Sequence, residues 1–121
     1  MERISEAEAA VMMVLWTQSP LTAQGVIELL PAERGWSANT VKTLLARLVA
    51  KRAVAHDADG RRYLYRPLLA RGDYLAGESS RLIDRLFGGR VTPLVAHLAE
   101  RGTLDATEIA EIEALLKDLK S

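Results

Sequence analysis

The chain has 121 residues, of which 49% are hydrophobic and 26% charged, a composition typical of a folded protein rather than a disordered one. It contains no cysteine, which excludes disulfides, thiolate zinc sites and thiol-based redox sensing, and favours a reducing cytoplasm. The chain has no run of about 18 apolar residues, the length that would predict a membrane-spanning helix, and its first residues do not have the pattern of a signal peptide. We therefore expect a cytoplasmic protein without membrane insertion.

The net charge of zero conceals three blocks of different sign. Residues 1–33 have a net charge of −4, residues 34–71 of +7, and residues 72–121 of −3. A localised basic block usually indicates an anionic partner, such as nucleic acid. The alternative is a solvated surface whose sign has no functional meaning.

Two short helices are predicted at the start of the chain. The segment from Ser5 to Glu8 is a capping box, and it predicts a helix that ends near Thr17. Proline after Ser19 stops this helix, and Thr22 can cap a second one over Ala23–Leu30.

A third predicted helix, which Ser37 can cap, has one apolar face and one face without any carboxylate. An ordinary solvated helix pairs glutamate with lysine at i,i+4, and this one does not. Asparagine, threonine, lysine and arginine are the side chains that hydrogen-bond base edges in the major groove. The free amides at the helix start also favour a phosphate. We therefore predict that this helix contacts DNA through Ser37, Asn39, Thr40, Lys42, Thr43, Arg47 and Lys51.

After the third helix the hydrophobic period changes from 3.6 to 2, which predicts two short strands, Val54–His56 and Tyr63–Arg66. Aspartate followed by Gly60 is a strong hairpin signal. The hairpin would bring Arg61 and Arg62 to the DNA backbone. Three short helices followed by a hairpin is the order of a winged helix-turn-helix.

The rest of the chain predicts a helical arm, with helices over Asp73–Phe87, Thr92–Glu100 and Asp105–Leu119. Three short helices cannot bury their apolar stripes alone, so burial against a second copy is the favoured outcome. An arm folded back on its own domain is the alternative. We expect a mainly α protein with a winged-helix domain over residues 1–70 and a helical dimerisation domain over residues 71–121. The predicted dimer contacts are Leu75, Leu82, Ile83, Leu86, Phe87, Leu94, Val95, Leu98, Ile109, Ile112, Leu115 and Leu116.

Enzymatic functions have little support in the sequence. His56 beside Asp57 lacks a second cluster that would complete a metal site, and His97 is isolated. No phosphate-binding loop, dinucleotide fingerprint or zinc spacing is present. We expect neither an enzyme nor a cofactor. A DNA-binding protein is favoured, and a winged-helix module that binds another protein remains the alternative.

The stretches SEAEAAVMMVLW, LTAQGVIELL, WSANTVKTLLARLVAKRAV and DGRRYLYRP resemble the BlaI/MecI/CopY family of bacterial transcriptional repressors. Without cysteine, the chain resembles the BlaI/MecI branch rather than the copper-responsive one. The resemblance implies a homodimer that binds a palindromic operator. It also implies that a membrane-bound sensor metalloprotease triggers cleavage in the arm, where His97 and Leu98 stand at the family's scissile position. By position, the family's base-contacting residues fall on Asn39, Thr40, Lys42, Thr43 and Arg47.

Overall fold

The computed structural model describes residues 2–121 and contains two compact units. The first unit ends at Tyr74, and the second covers Leu75–Ser121. The helices and strands of the whole chain follow in this order: α1 (Glu6–Thr17), α2 (Ala23–Leu29), a 3₁₀ turn (Ala32–Arg34), α3 (Ala38–Ala50), β1 (Val54–Asp59), β2 (Arg62–Pro67), α4 (Arg71–Phe87), α5 (Val91–Glu100) and α6 (Ala106–Lys120). The mainly helical chain with one antiparallel hairpin confirms the predicted winged-helix class.

Four helices, α1, α2, α3 and α6, begin where the sequence places a capping residue. In α1, the Ser5 hydroxyl accepts a hydrogen bond from the Glu8 amide at 3.1 Å, and the Glu8 carboxylate accepts one from the Ser5 amide at 2.8 Å. Side-chain oxygens of Thr22, Ser37 and Asp105 accept amide hydrogen bonds at the starts of α2, α3 and α6. Each cap satisfies an amide that the helix leaves without a partner, and each typically stabilises its helix by about 1 kcal/mol.

The core of the first unit is aliphatic and lies between α1, α2, α3 and the base of the hairpin. From α3, the apolar face predicted by the sequence faces inward, and Leu45 and Leu48 are fully buried. Burial of each such side chain contributes roughly 1.5–3 kcal/mol, so this face fixes the rotation of α3 and leaves its opposite face in solvent. The largest fully buried apolar side chains are Met12, Leu15, Leu45, Leu48, Val11, Val26, Val41 and Val54.

The hairpin pairs β1 with β2 in antiparallel register, from Val54 opposite Pro67 to Asp59 opposite Arg62. Both strands are longer than predicted, because backbone pairing continues to the turn although the side chains there are exposed and charged. Leu21 adds a short bridge to the hairpin: its amide donates to the Tyr65 carbonyl at 3.0 Å and its carbonyl accepts from the Tyr65 amide at 2.7 Å. The base of the hairpin is therefore tied to the chain before α2.

The C-terminal end of α3 turns sharply into β1 at Arg52, which has a φ of +63°. The Ala53 amide donates to the Leu48 carbonyl at 3.0 Å, and the Arg52 amide donates to the Val49 carbonyl at 3.0 Å. These two bonds form a Schellman motif, in which the left-handed position usually holds glycine. The turn places Ala53 in the core and directs the chain into β1.

The chain after the hairpin packs back onto α1. The indole Nε1 of Trp16 donates to the Leu69 carbonyl at 2.8 Å, and the ring centroids of Trp16 and Tyr74 are 5.4 Å apart. Packing of the first unit thus continues beyond residue 70, the boundary predicted from sequence.

The three helices α4, α5 and α6 contain no fully buried side chain. No helix in residues 2–121 is long and apolar enough to cross a membrane. All twelve residues predicted to form the dimer are half-buried or exposed. The most exposed of them are Leu86, Leu115 and Leu116.

Candidate nucleic-acid interface

The outer face of α3 consists of exposed polar and basic side chains. Lys42 and Arg47 form no ion pair with any other residue in the part of the chain that the structure describes. Their positive charges are therefore available to an external anion. Asn39, Thr40 and Thr43 are exposed on the same face as these two cations.

The hydroxyl groups on this face are oriented by the backbone of α3. Ser37 Oγ accepts from the Thr40 amide at 3.2 Å and lies 3.0 Å from the Thr40 hydroxyl. Thr43 Oγ1 donates to the Asn39 carbonyl at 2.9 Å. Because this bond uses its only hydrogen, Thr43 can only accept from a ligand, as from the amino group of adenine or cytosine.

The structure brings the cationic hairpin tip towards the same face. Lys42 of α3 and Arg61 and Arg62 of the hairpin line one open concavity of about 480 Å³. Sequence reasoning did not predict the other polar residues there, among them Gln24 and Tyr63. A signal for Tyr63 was present, because alternation along β2 places it on the same side as the half-buried Tyr65.

The hairpin arginines differ in how much of their charge is already compensated. The Arg62 guanidinium pairs with Asp59, with an Nη2–Oδ2 distance of 3.1 Å, and Arg66 pairs with Asp57 at 3.1 Å. Arg61 is exposed and has no ion-pair partner within residues 2–121. Arg61 is thus the arginine of the hairpin tip whose charge is most available to a phosphate.

An aromatic cluster stiffens the hairpin behind its tip. The His56 ring lies edge-on to Tyr63, with centroids 4.4 Å apart, and 5.9 Å from Tyr65. Burial, together with the neighbouring Tyr63, raises the pKa of the Tyr65 phenol, so this hydroxyl remains protonated near neutral pH. Each aromatic pair typically contributes roughly 0.5–1.5 kcal/mol to stability in addition to the contribution from burying its surface.

Lys51 does not lie on this outer face, and the sequence-based assignment of a DNA contact to it is corrected by its contacts. Its ammonium donates to Glu8 Oε1 at 2.6 Å and to the Arg3 carbonyl at 2.9 Å. The sequence contained the reason: Lys51 follows Leu44 by seven residues and Leu48 by three, which places it on the inward face of α3. Lys51 joins the end of α3 to the start of α1.

Glu8, the partner of Lys51, is 1% exposed, and its second carboxylate oxygen has no hydrogen-bond partner in the described chain. Burial raises the pKa of this carboxyl, but the hydrogen bonds from Lys51 and Ser5 outweigh burial and hold the pKa below its ordinary value. Glu8 therefore carries a negative charge at neutral pH inside the first unit.

Within residues 2–121, no three histidine, aspartate or glutamate side chains are close enough together to hold a metal ion.

The two residues at the predicted cleavage position, His97 and Leu98, lie inside α5, with His97 exposed and Leu98 half-buried.

An exposed basic helix beside a cationic hairpin, on a three-helix core, defines a winged-helix DNA-binding protein. The family model described as the penicillinase repressor matches residues 4–118. The chain belongs to this family, which confirms the predicted resemblance, and it is a DNA-binding repressor.

Similar proteins cover nearly the whole chain. The penicillinase repressor of Bacillus licheniformis is 33% identical over 119 residues, which are 98% of this chain and 93% of the relative. The methicillin resistance regulatory protein MecI of Mammaliicoccus sciuri is 30% identical over 113 residues, covering 93% of this chain and 92% of the relative. Among solved structures, the monomeric form of Bacillus licheniformis BlaI in complex with the blaP half-operator is 38% identical, has a TM-score of 0.52, and covers 60% of this chain and 89% of that chain.

Proposed function

We propose that this protein represses transcription as a homodimer that binds a palindromic operator, with α3 in the major groove and the hairpin on the adjacent backbone. The observation that supports this most is the shared concavity lined by Lys42 and Arg61, two cations without ion-pair partners in the described chain. The BlaI relative binds a half-operator in its monomeric form, which is consistent with one binding unit for each half-site.

The exposed leucines and isoleucines of α4–α6 support a second copy as the partner of the arm. Leu115 is 65% exposed and Leu119 is 82% exposed, on a helix of only 15 residues. Leu115 and Leu119 lie about one turn apart on the same side of α6, and large exposed apolar patches usually mark an interface. A symmetric dimer would present two copies of α3, as a palindrome requires.

Lys42 and Arg61 should respond differently to substitution. Lys42→Ala should cost about 1–3 kcal/mol on the preferred operator and less on scrambled DNA, because a base contact is lost. Arg61→Ala should weaken binding to every sequence alike and lower the slope of log K against log salt by about one, because a phosphate contact is lost. Fluorescence anisotropy over a salt series measures both, on an operator first selected from random DNA.

Arg61→Lys is the matched control, since it keeps the charge and should retain most of the affinity. Equal losses on operator and scrambled DNA for Lys42→Ala would contradict a base-contacting role for that lysine. Binding that does not depend on salt would contradict the DNA interface as a whole.

We further propose that a membrane-bound sensor metalloprotease leads to cleavage in the arm and so ends repression. The family's scissile position falls at His97 and Leu98, within the hydrogen-bonded helix α5. A protease binds an extended segment, so cleavage there requires α5 to open locally first. The exposed turn at Gly102, with a φ of +71°, is a more accessible place to cut the arm deliberately.

A protease recognition sequence inserted at Gly102 tests whether an intact arm is needed. After cutting, operator affinity should fall by about tenfold or more, because the two binding units lose part of their common scaffold. This fall in operator affinity should be smaller than the fall on removal of the whole arm, since α6 can stay associated with the rest of the dimer after cleavage. The uncut protein with the same insertion is the control, and undiminished binding after complete cleavage would contradict the proposal.

A further inference from the structure

The outer side of α1 has more apolar surface than its contact with the core uses. Met12 is fully buried, yet its neighbour Met13 is 39% exposed. Across from Met13, Leu29 of α2 is 49% exposed. These residues belong to a groove of about 400 Å³, the α1–α2 groove, which is lined by Ala10, Met13, Val14, Leu29, Pro31 and Arg34. Sites for small molecules typically measure about 300–1,000 Å³ and have mostly apolar walls with a few polar groups.

Among the described residues that line the α1–α2 groove, Arg34, at the end of the 3₁₀ turn, is the charged one. Its guanidinium carbon lies 4.9 Å from the centroid of the Trp36 ring, a cation–π contact that holds it in place. Arg34 Nη1 is also 3.7 Å from Glu6 Oε1, but the Glu6 side chain is 90% exposed. An ion pair this long and this exposed contributes little, so another carboxylate can displace it.

We propose that the α1–α2 groove binds a small amphipathic carboxylate, with its apolar part against Met13 and Leu29 and its carboxylate on Arg34. A planar guanidinium can hold a carboxylate with two parallel hydrogen bonds, and apolar walls beside it favour a ligand with one charged end. Thr17 and Gln18 supply further polar atoms in the lining. A groove of about 400 Å³ accommodates a small molecule more readily than a helix of a partner protein.

The α1–α2 groove is connected to the DNA-binding face through a short stretch of chain. Trp36, which stacks on Arg34, packs against the core and directly precedes Ser37, the cap of α3. A ligand that moves Arg34 therefore acts on the segment that positions the start of α3. This site is separate from the DNA interface, because Lys42 and Arg61 line a different concavity.

The test uses octanoate as the probe and octanamide as its uncharged counterpart, titrated into the full-length protein and followed by the NMR signals of the groove residues. Octanoate should bind more tightly than octanamide. Arg34→Gln should weaken octanoate about five- to tenfold, the effect of losing a charged hydrogen-bond partner at an accessible site, and leave octanamide unchanged. Leu29→Gln should weaken both probes, and Glu6→Gln should strengthen octanoate by removing the competing carboxylate.

Arg34→Lys, which keeps the charge, should retain part of the preference for octanoate, and Arg71→Gln, outside the groove, should change neither affinity. Equal affinities for octanoate and octanamide, or binding that leaves the signals of the groove residues unchanged, would overturn the proposal. So would no binding of either probe combined with altered self-association of Leu29→Gln, which would identify the groove as a protein contact. Because no DNA is present, failure of this test leaves the repressor function untouched.

Discussion

Removal of the helical arm should lower affinity for a palindromic operator by about 10²–10⁴-fold, although every DNA contact stays in place. In a dimer, the second half-site is bound intramolecularly, and the truncated chain loses this advantage. A chain that ends at Ala76 retains α1–α3, the hairpin, and the contacts of Leu69 and Tyr74 with Trp16. Anisotropy titrations on full operator and light scattering of both proteins measure affinity and assembly together.

A single half-site provides the internal control for this truncation. Full-length and truncated proteins should bind it with similar affinity, because one winged-helix unit makes all the contacts. A truncation after Pro67 is less suitable, since it removes Leu69, whose carbonyl accepts the Trp16 indole, and Tyr74. Equal operator binding by both proteins, or a full-length protein that is monomeric at micromolar concentration, would contradict the dimer.

Lys51→Met should lower the free energy of unfolding by about 3 kcal/mol, since breaking a buried ion pair leaves an uncompensated charge behind. Glu8 is buried, and the side chain of Lys51 is only 18% exposed. The double variant Glu8→Gln with Lys51→Met should recover much of the loss, because no buried charge remains. Urea denaturation of the wild type, both single variants and the double variant gives the coupling between the two residues.

The pH dependence of stability tests the same pair. The pKa of Glu8 is lowered in the folded protein, so its contribution to stability is present above the ordinary glutamate pKa of about 4.3 and is lost as pH falls through the lower folded value. In Lys51→Met, only the hydrogen bonds with Ser5 still oppose burial, so the pKa of Glu8 should be higher than in the wild type and the destabilisation should shrink as pH falls. A destabilisation that stays constant down to acid pH would show that Glu8 is not its source.

Much of the first unit could be predicted from sequence because its signals are local. Capping residues such as Ser5 and Ser37 define helix starts, and the apolar spacing in α3 determines which side faces the core. The contacts of Lys51 could not be predicted in this way. A lysine on the inward side of α3 is stable there because a carboxylate from another helix compensates its charge. Glu8 is 43 residues away in sequence, and no local rule connects the two.

Features that depend on three elements at once were beyond sequence reasoning. The concavity that joins Lys42 to Arg61 depends on how far the hairpin extends and on the bridge between Leu21 and Tyr65. The α1–α2 groove depends likewise on the 3₁₀ turn, which places Arg34 at its edge. In both cases the residues were visible in the sequence and their juxtaposition was not.

The absence of any fully buried side chain in α4–α6 has a consequence for gene regulation. Helices without a core of their own gain their stability from association, so for the proposed dimer, folding of the arm and assembly are one equilibrium. Mass action then makes the amount of active repressor depend on the square of chain concentration when dimers are scarce. Halving the number of chains in a cell would lower the dimer concentration about fourfold, so that modest changes in protein synthesis or degradation become sharp changes in operator occupancy.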